Sequence, residues 1–345
     1  MKQILFDELK RLQNRGQFSE KIVKIIIDFI GSYEKALQFS NLPFEPHIPL
    51  FQLFLQLILD QIQSPHSFDL YHKKIRHPID YYQFSLDLIK PLVDLSHSSV
   101  INLPIFDEIE SHLKNGDNVI FFANHQIEPD PQAISILLEK THPNLAEKMI
   151  YIAGERVVSD PLAIPFSLGC DLLCIYSKRY IDYPPEQKEK KLLHNRKTME
   201  MMCTLLQEGS KAIYVAPSGG RDRKNEKGEL MPAPFDPNSV EMLVLMAQKA
   251  KKPAHFYPLA LNTYNLFPPP ESIQRELGEM RTATRSSIGL SVGNQIEMAH
   301  FSGATKEEKR EKRSMAIWTE VCHLYQKFPS TASDAPHIFS EKRDP

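Results

Sequence analysis

The sequence contains no apolar run long enough to cross a bilayer. Its most apolar stretch, Pro49–Leu59, is broken by Gln52 and Gln56 and falls short of the roughly 18 residues that a spanning helix needs. The N-terminus, MKQILFDELKRLQNRGQ, lacks a signal-peptide layout because Asp7 and Glu8 interrupt any apolar core. No transmembrane segment is therefore expected, and membrane contact, if any, is peripheral. An excess of charge is also lacking. The net charge is −2 over 345 residues, so nothing draws the whole chain to nucleic acid or anionic lipid, and any anion recognition must be local. Cysteine is scarce too. Cys170 and Cys174 have the look of a metal-binding pair, but no second close pair accompanies them and a structural zinc site needs about four ligands. Free thiols buried in a reducing compartment, with no metal and no cofactor, are the expectation for these two and for Cys203 and Cys322. No internal repeat or low-complexity stretch occurs.

Charge is distributed unevenly. Residues 1–100 carry 11 basic and 11 acidic side chains, whereas residues 176–230 carry 12 basic and 8 acidic. That local surplus marks where a phosphate or an acidic partner would bind. The length is enough for two domains, and the pattern divides accordingly. The first hundred residues read as helices. Ser19 is a candidate cap for a segment with Ile22, Ile26, Phe29 and Ile30 on one face, which Gly31 is placed to end. Leu50–Ile62, apolar on most sides, reads as a buried helix of a bundle, and helical pattern continues around Tyr81–Leu95.

From about residue 100 short apolar runs rich in β-formers recur: Asn118–Phe122, Met149–Ala153, Leu172–Tyr176, Ala212–Val215, His255–Leu261 and Ile288–Val292. Helical patterns lie between them, over Gln187–Leu206 (Leu192, Met199, Met202 and Leu206 in step) and after Asn238, a candidate cap with Glu241 three residues on. The charged run Lys306–Arg313 reads as the exposed face of a C-terminal helix. This alternation predicts an α/β fold: a mixed, mostly parallel sheet flanked by helices, preceded by a small helical bundle. The expected division is a bundle over residues 1–82 and an α/β domain over 83–345. Ligands of such sheets sit beyond the carboxyl ends of the strands, and the chemically suggestive segments follow apolar runs.

In Val119–Asp130 a strand delivers Asn124 and His125 into a loop with Asp130 five residues on. Histidine titrates near neutrality and can take a proton from an alcohol, while a carboxylate on its other nitrogen fixes the tautomer. Asp130 can equally cap a helix starting at Pro131. In Ala212–Arg223 a strand runs into Ser218-Gly219-Gly220-Arg221-Asp222-Arg223. The glycines permit positive φ and close backbone approach, and Arg221 and Arg223 can hold a phosphate by bidentate bonds. The Gly-Lys-Ser/Thr ending of a P-loop is absent. The other reading of this turn is a solvated basic loop with Asp222 as internal counter-ion. Gly154-Glu155-Arg156 follows a further strand, with Arg156 either paired to a carboxylate or facing a ligand. Lys178, Arg179 and Tyr180 end another.

Together these segments resemble the glycerolipid acyltransferases. Asn124-His125 with Asp130 matches the His-four-residues-Asp signature, and Gly154-Glu155-Arg156, Gly219-Gly220-Arg221 and Tyr257-Pro258 follow in the order of that superfamily's later motifs. The wording is closest to the soluble, plastid-type glycerol-3-phosphate acyltransferases, over residues 100–330, most strongly in Asn124–Pro131, Ala153–Ser177 and Ala216–Arg223. The resemblance implies transfer of a fatty acyl group from acyl-carrier protein or coenzyme A to the sn-1 hydroxyl of glycerol 3-phosphate. It implies His125 as base, Asp130 as its orienter, and Arg179, Arg221 and Arg223 as phosphate ligands, with Lys178 and Tyr180 as further candidates beside them. The chain departs from the family at Arg179-Tyr180, where Lys-His is common. Ser218 stands where lysophosphatidate acyltransferases usually carry Glu, which favours glycerol 3-phosphate as acceptor. Acylation of another phosphorylated acceptor such as lysophosphatidate, or a non-catalytic module binding acyl-carrier protein or lipid, are the alternatives. The expected compartment is a bacterial cytoplasm or an organelle stroma.

Overall fold

The computed structural model describes residues 2–178, 181–270 and 278–329. Eight strands form one sheet: β1 (Tyr71–His72), β2 (Ser99–Ile101), β3 (Asn118–Ala123), β4 (Ile150–Gly154), β5 (Asp171–Ile175), β6 (Ala212–Val215), β7 (Ala254–Asn262) and β8 (Gly289–Val292). Their order is β1-β5-β4-β6-β3-β7-β8-β2. The pairs β1–β5 and β7–β8 are antiparallel and the other five are parallel. The expected mixed, mostly parallel sheet is present, and all six apolar runs form strands within a residue or two of their expected ends. Strands β1 and β2 escaped notice because two or three residues cannot display a period.

Side-chain alternation sorts each strand between two cores. Ile120 and Phe122 of β3 enter one cluster with α9 (Lys188–Glu208), α10 (Pro237–Ala250) and α11 (Lys306–Gln326). Val119, Phe121 and Ala123 enter the other with α5 (Leu103–Lys114), α6 (Asp130–Leu138) and α7 (Pro143–Lys148). A strand buried on both faces reads as a continuous apolar run, as β3 does. A third core joins α1 (Gln3–Asn14), α2 (Glu20–Gln38), α3 (Ile48–Gln63) and α4 (Tyr81–Ile89) to Ile127, Ala133 and Ile136, with Phe166 of the short α8 (Ile164–Ser167) packed against it. The N-terminal helices therefore pack on the loop and helix that follow β3.

Several local expectations need correction. Gly31 does not end α2, which continues to Gln38. Burying Tyr33, Ala36 and Leu37 outweighs the cost of about 1 kcal/mol for a helical glycine. Asp236, not Asn238, caps α10, accepting the amides of Asn238 and Ser239, with Pro237 as first helical residue. Glu241 turns to Arg313 instead. In α9, Met202 and Leu206 are buried but Leu192 is exposed. Lys191 takes the inward place there, its ammonium donating to the Tyr183 carbonyl at 2.6 Å. Cys170, Cys174 and Cys322 are buried free thiols as expected, whereas Cys203 is half-buried. Burial pushes Cys170 and Cys174 up to about 12, so neither offers a thiolate near neutral pH.

Two glycines should respond oppositely to alanine. A Cβ at Gly31 would meet nothing within 4 Å, so Gly31→Ala should stabilise the protein by roughly 0.5–1 kcal/mol. A Cβ at Gly169 would lie 2.6 Å from the Tyr81 carbonyl oxygen, so Gly169→Ala should destabilise by about 1–3 kcal/mol through a forced shift at the start of α4. Urea unfolding of both variants tests the pair, with equal midpoints counting against it.

Candidate active site

The parallel register decides which loops meet. Phe122 of β3 lies level with Val215 of β6, and Ala123 with Leu259 of β7. The chain leaving β3 at Asn124 is thus flanked by the chain leaving β6 on one side and β7 on the other. The first turn after β3 is fixed by Asp130, which is 1% exposed. One carboxylate oxygen of Asp130 accepts from His125 Nδ1 at 2.7 Å and from the amides of Gln126 at 2.8 Å and Ile127 at 3.3 Å. The other accepts the Thr263 hydroxyl at 2.6 Å, from the end of β7. Asp130 is thus the first residue of α6 but does not cap it, because its carboxylate faces back into the loop. Four donors replace the water that a buried carboxylate has lost.

A carboxylate oxygen 2.7 Å from Nδ1 requires the hydrogen on that nitrogen and leaves Nε2 as the acceptor. Among the described residues Nε2 has no partner, and 29% of the His125 side chain is exposed. A half-open imidazole backed by a buried carboxylate can take a proton from an incoming hydroxyl.

The arginine turn is attached directly to this loop. The Asp222 amide donates to the His125 carbonyl at 2.6 Å. The Asp222 side chain points inward, where it accepts from Asn124 at 2.8 Å, Gln126 at 3.3 Å and the Ala233 amide at 2.8 Å. It is therefore not the counter-ion of the arginines. Burial raises its carboxyl to about 6. Arg221 and Arg223, on either side of Asp222, have other partners. Arg221 Nη2 meets both oxygens of Glu279 at 2.6 and 2.8 Å, and Arg156 Nη1 meets the same carboxylate at 3.3 Å. Arg223 donates to the Pro270 carbonyl.

Asn124 is fully buried and spans the flanking strand ends, donating to Asp222 and to the Leu261 carbonyl while accepting the Leu261 amide at 2.7 Å. Of the two glycines only Gly219 uses positive φ, at +66°, and the Ser218 hydroxyl donates to the Gly220 carbonyl at 3.0 Å. Gly154 ends β4 and Glu155 lies 3.6 Å from Lys191. Lys178 is exposed and pairs with Asp236 at 2.7 Å rather than joining Arg221 and Arg223. Arg179 and Tyr180 lie outside the described residues.

Sequence reasoning missed four contributors. Thr263 and Gln126 secure the loop, the latter by accepting the amides of Thr263 at 2.7 Å and Tyr264 at 2.9 Å. Arg281 pairs with Glu128 of the histidine loop at 2.8 Å and with Asp160 at 3.0 Å, and Glu279 pairs with Arg221. These partners are more than 50 residues apart, so no local pattern announces them. The one available signal was two charges, Glu279 and Arg281, close before an apolar strand.

Among the described residues the group able to share a metal ion is His112, Asp117 and His255. It lies at the opposite end of β3 and β7 from His125. Its two imidazoles stack with centroids 3.5 Å apart and planes 19° apart, so their in-plane lone pairs do not converge on one ion.

The acyltransferase family model matches residues 104–262, which include His125, Asp130, Arg221 and Arg223. The chloroplastic glycerol-3-phosphate acyltransferase of Spinacia oleracea is 39% identical over 326 residues, covering 93% of this chain and 69% of the relative. That of Cucurbita moschata is 39% identical over 322 residues, covering 92% and 70%. The chain belongs to the glycerol-3-phosphate acyltransferase family. A solved 1-acyl-sn-glycerophosphate acyltransferase from Thermotoga maritima is 15% identical with a TM-score of 0.40, covering 81% of this chain and 97% of that one, too distant to inform the site. No helix among the described residues is long and apolar enough to cross a membrane.

The raised carboxyl of Asp222 gives the family member a pH signature in stability. The folded state holds a proton that the unfolded chain has released, so ionising Asp222 costs stability as pH rises from about 4 to about 6. Asp222→Asn removes that titration. Wild-type stability minus variant stability should therefore fall across this window, by up to about 3 kcal/mol. Denaturant unfolding between pH 4 and 7 measures it; a flat difference would show that Asp222 titrates normally.

Proposed function

We propose that this chain transfers a fatty acyl group from the thioester of acyl-carrier protein, or of coenzyme A, to the sn-1 hydroxyl of glycerol 3-phosphate. The observation that carries the reading is the attachment of two functions at one point. His125 Nδ1 lies 2.7 Å from Asp130, and the same histidine's carbonyl holds the amide between Arg221 and Arg223. A base and a pair of cations are thereby fixed at the ends of adjacent strands.

In this reading Asp130 holds the imidazole and stabilises its protonated form. Nε2 of His125 takes the proton of the acceptor hydroxyl as its oxygen attacks the thioester carbonyl. The carbon–sulfur bond breaks, and the imidazolium returns the proton to the departing thiolate. A thiol with pKa of about 8.5 is a good leaving group, so deprotonation and positioning are the steps that need the protein. Arg221 and Arg223 bind the phosphate, which brings the hydroxyl against the thioester and lowers the entropic part of the barrier. Transfer is direct: the buried thiols Cys170 and Cys174 are held protonated, and no motif supplies a serine nucleophile. The bundle of residues 1–82 acts as a cover for the α/β domain of residues 83–345, as its shared core with Ile127, Ala133 and Ile136 supports. Acyl-carrier protein is the favoured donor by family resemblance. The relatives' chloroplastic names favour an organelle stroma.

Acyl transfer from each donor to labelled glycerol 3-phosphate tests the proposal. His125→Ala should lower kcat by about 10²–10⁴. Arg221→Ala should raise KM for glycerol 3-phosphate by roughly 10- to 100-fold, the worth of a charge-assisted hydrogen bond. A wild type that acylates lysophosphatidate and ignores glycerol 3-phosphate would reject the acceptor. Tight binding without turnover would reject catalysis.

A further inference from the structure

Glu279 is a buried carboxylate to which the proposed mechanism gives no part. Its side chain is 7% exposed, and both of its oxygens meet a single nitrogen of Arg221, at 2.6 and 2.8 Å. Among the described residues, Nε and Nη1 of Arg221 have no partner. The guanidinium is gripped at one end while its other donors remain available. The second oxygen also takes Arg156 at 3.3 Å, so one carboxylate contacts two arginines.

Glu279 is itself held in place from behind. Its carbonyl accepts from Arg281 Nη1 at 3.0 Å, and the preceding Gly278, at φ +80°, donates its amide to Asp160 at 3.2 Å. Arg281 continues to Glu128, three residues after His125, at 2.8 Å. A chain of polar contacts thus runs from the histidine loop through Arg281 to the Glu279 main chain, and from the Glu279 carboxylate on to Arg221.

From this arrangement we infer that Glu279 is a positioning residue for the acceptor: it aims Arg221 so that the phosphate lands at a fixed distance from His125. The inference rests on the phosphate-clamp reading above. An arginine side chain gives up most of its rotamer freedom when fixed. Glu279 meets that cost before the acceptor arrives, and Arg221 presents an ordered fork to the phosphate. The opposite role, a resident anion that phosphate must expel, fits the contacts less well. Expulsion would leave a buried carboxylate unpaired on a backbone that Arg281 and Asp160 hold still.

The test is steady-state kinetics of Glu279→Ala, Glu279→Gln, Arg221→Ala and the Glu279→Ala/Arg221→Ala double variant. Each protein's folding is checked by thermal unfolding. Glu279→Ala should raise KM for glycerol 3-phosphate about tenfold, with kcat within threefold of wild type and donor KM unchanged. Glu279→Gln keeps the length and one acceptor oxygen, so it should fall between wild type and Ala, and it stands in if Ala does not fold. Because Glu279 acts through Arg221, the double variant should be no worse than Arg221→Ala alone. A lower KM on losing the carboxylate would make Glu279 a competitor of phosphate and overturn the inference, as would additive effects. If Arg221→Ala itself leaves acceptor KM unchanged, the phosphate clamp fails as well. If Arg221→Ala raises KM and Glu279→Ala does not, only the role of Glu279 fails.

Discussion

The buried carboxylate of Asp130 constrains everything around it. Two oxygens receive four donors, from the His125 ring, two consecutive amides and the Thr263 hydroxyl. In an apolar interior such an anion is tolerable only when fully hydrogen-bonded. Each donor fixes something different: the ring fixes the tautomer, the amides fix the loop, and the hydroxyl ties the loop to β7. Loss of the carboxylate would free all three together. The geometry proposed for catalysis and the local fold therefore rest on the same bonds.

A second layer follows from Asp222, whose side chain is buried between two arginines that have partners of their own. Inward, Asp222 meets the amides of Asn124 and Gln126, and its own amide reaches the His125 carbonyl. The Tyr214 hydroxyl adds a 2.5 Å bond to the Asn124 carbonyl. Burying Asp222 costs ionisation energy, as its raised pKa records. The return on that cost is geometric, because the arginine turn cannot drift relative to the histidine.

This division explains what the sequence made legible. Strands such as Asn118–Ala123 announce themselves because burial on both faces demands an unbroken apolar run. The His125–Asp130 pair is readable because both residues lie in one loop. The counter-ion reading of Asp222 fails because adjacency in sequence does not fix contact: its carboxylate is taken by Asn124, Gln126 and the Ala233 amide, which lie 11 to 98 residues away. Gly31 misled for a related reason: a local preference of about 1 kcal/mol yields to several buried side chains farther along α2. Arg281 and Glu279 were not readable at all, since their partners lie 58 to 153 residues away.

Those long-range ion pairs separate the two kinds of charge in the molecule. Exposed pairs such as Lys24–Asp28 join neighbours on one helix and contribute a few tenths of a kcal/mol. The pairs of Arg281 and Arg221 join segments distant in sequence and are largely withdrawn from water. A buried ion pair is a poor source of net stability, because desolvation consumes most of the attraction. Its advantage is directional, since a guanidinium fork and a carboxylate meet in few geometries. An acceptor such as glycerol 3-phosphate offers a phosphate at one end and a reacting hydroxyl at the other, with only a short carbon chain between them. Positioning that hydroxyl demands a cation fixed in direction as well as in place, and a network of buried pairs supplies direction where apolar packing cannot.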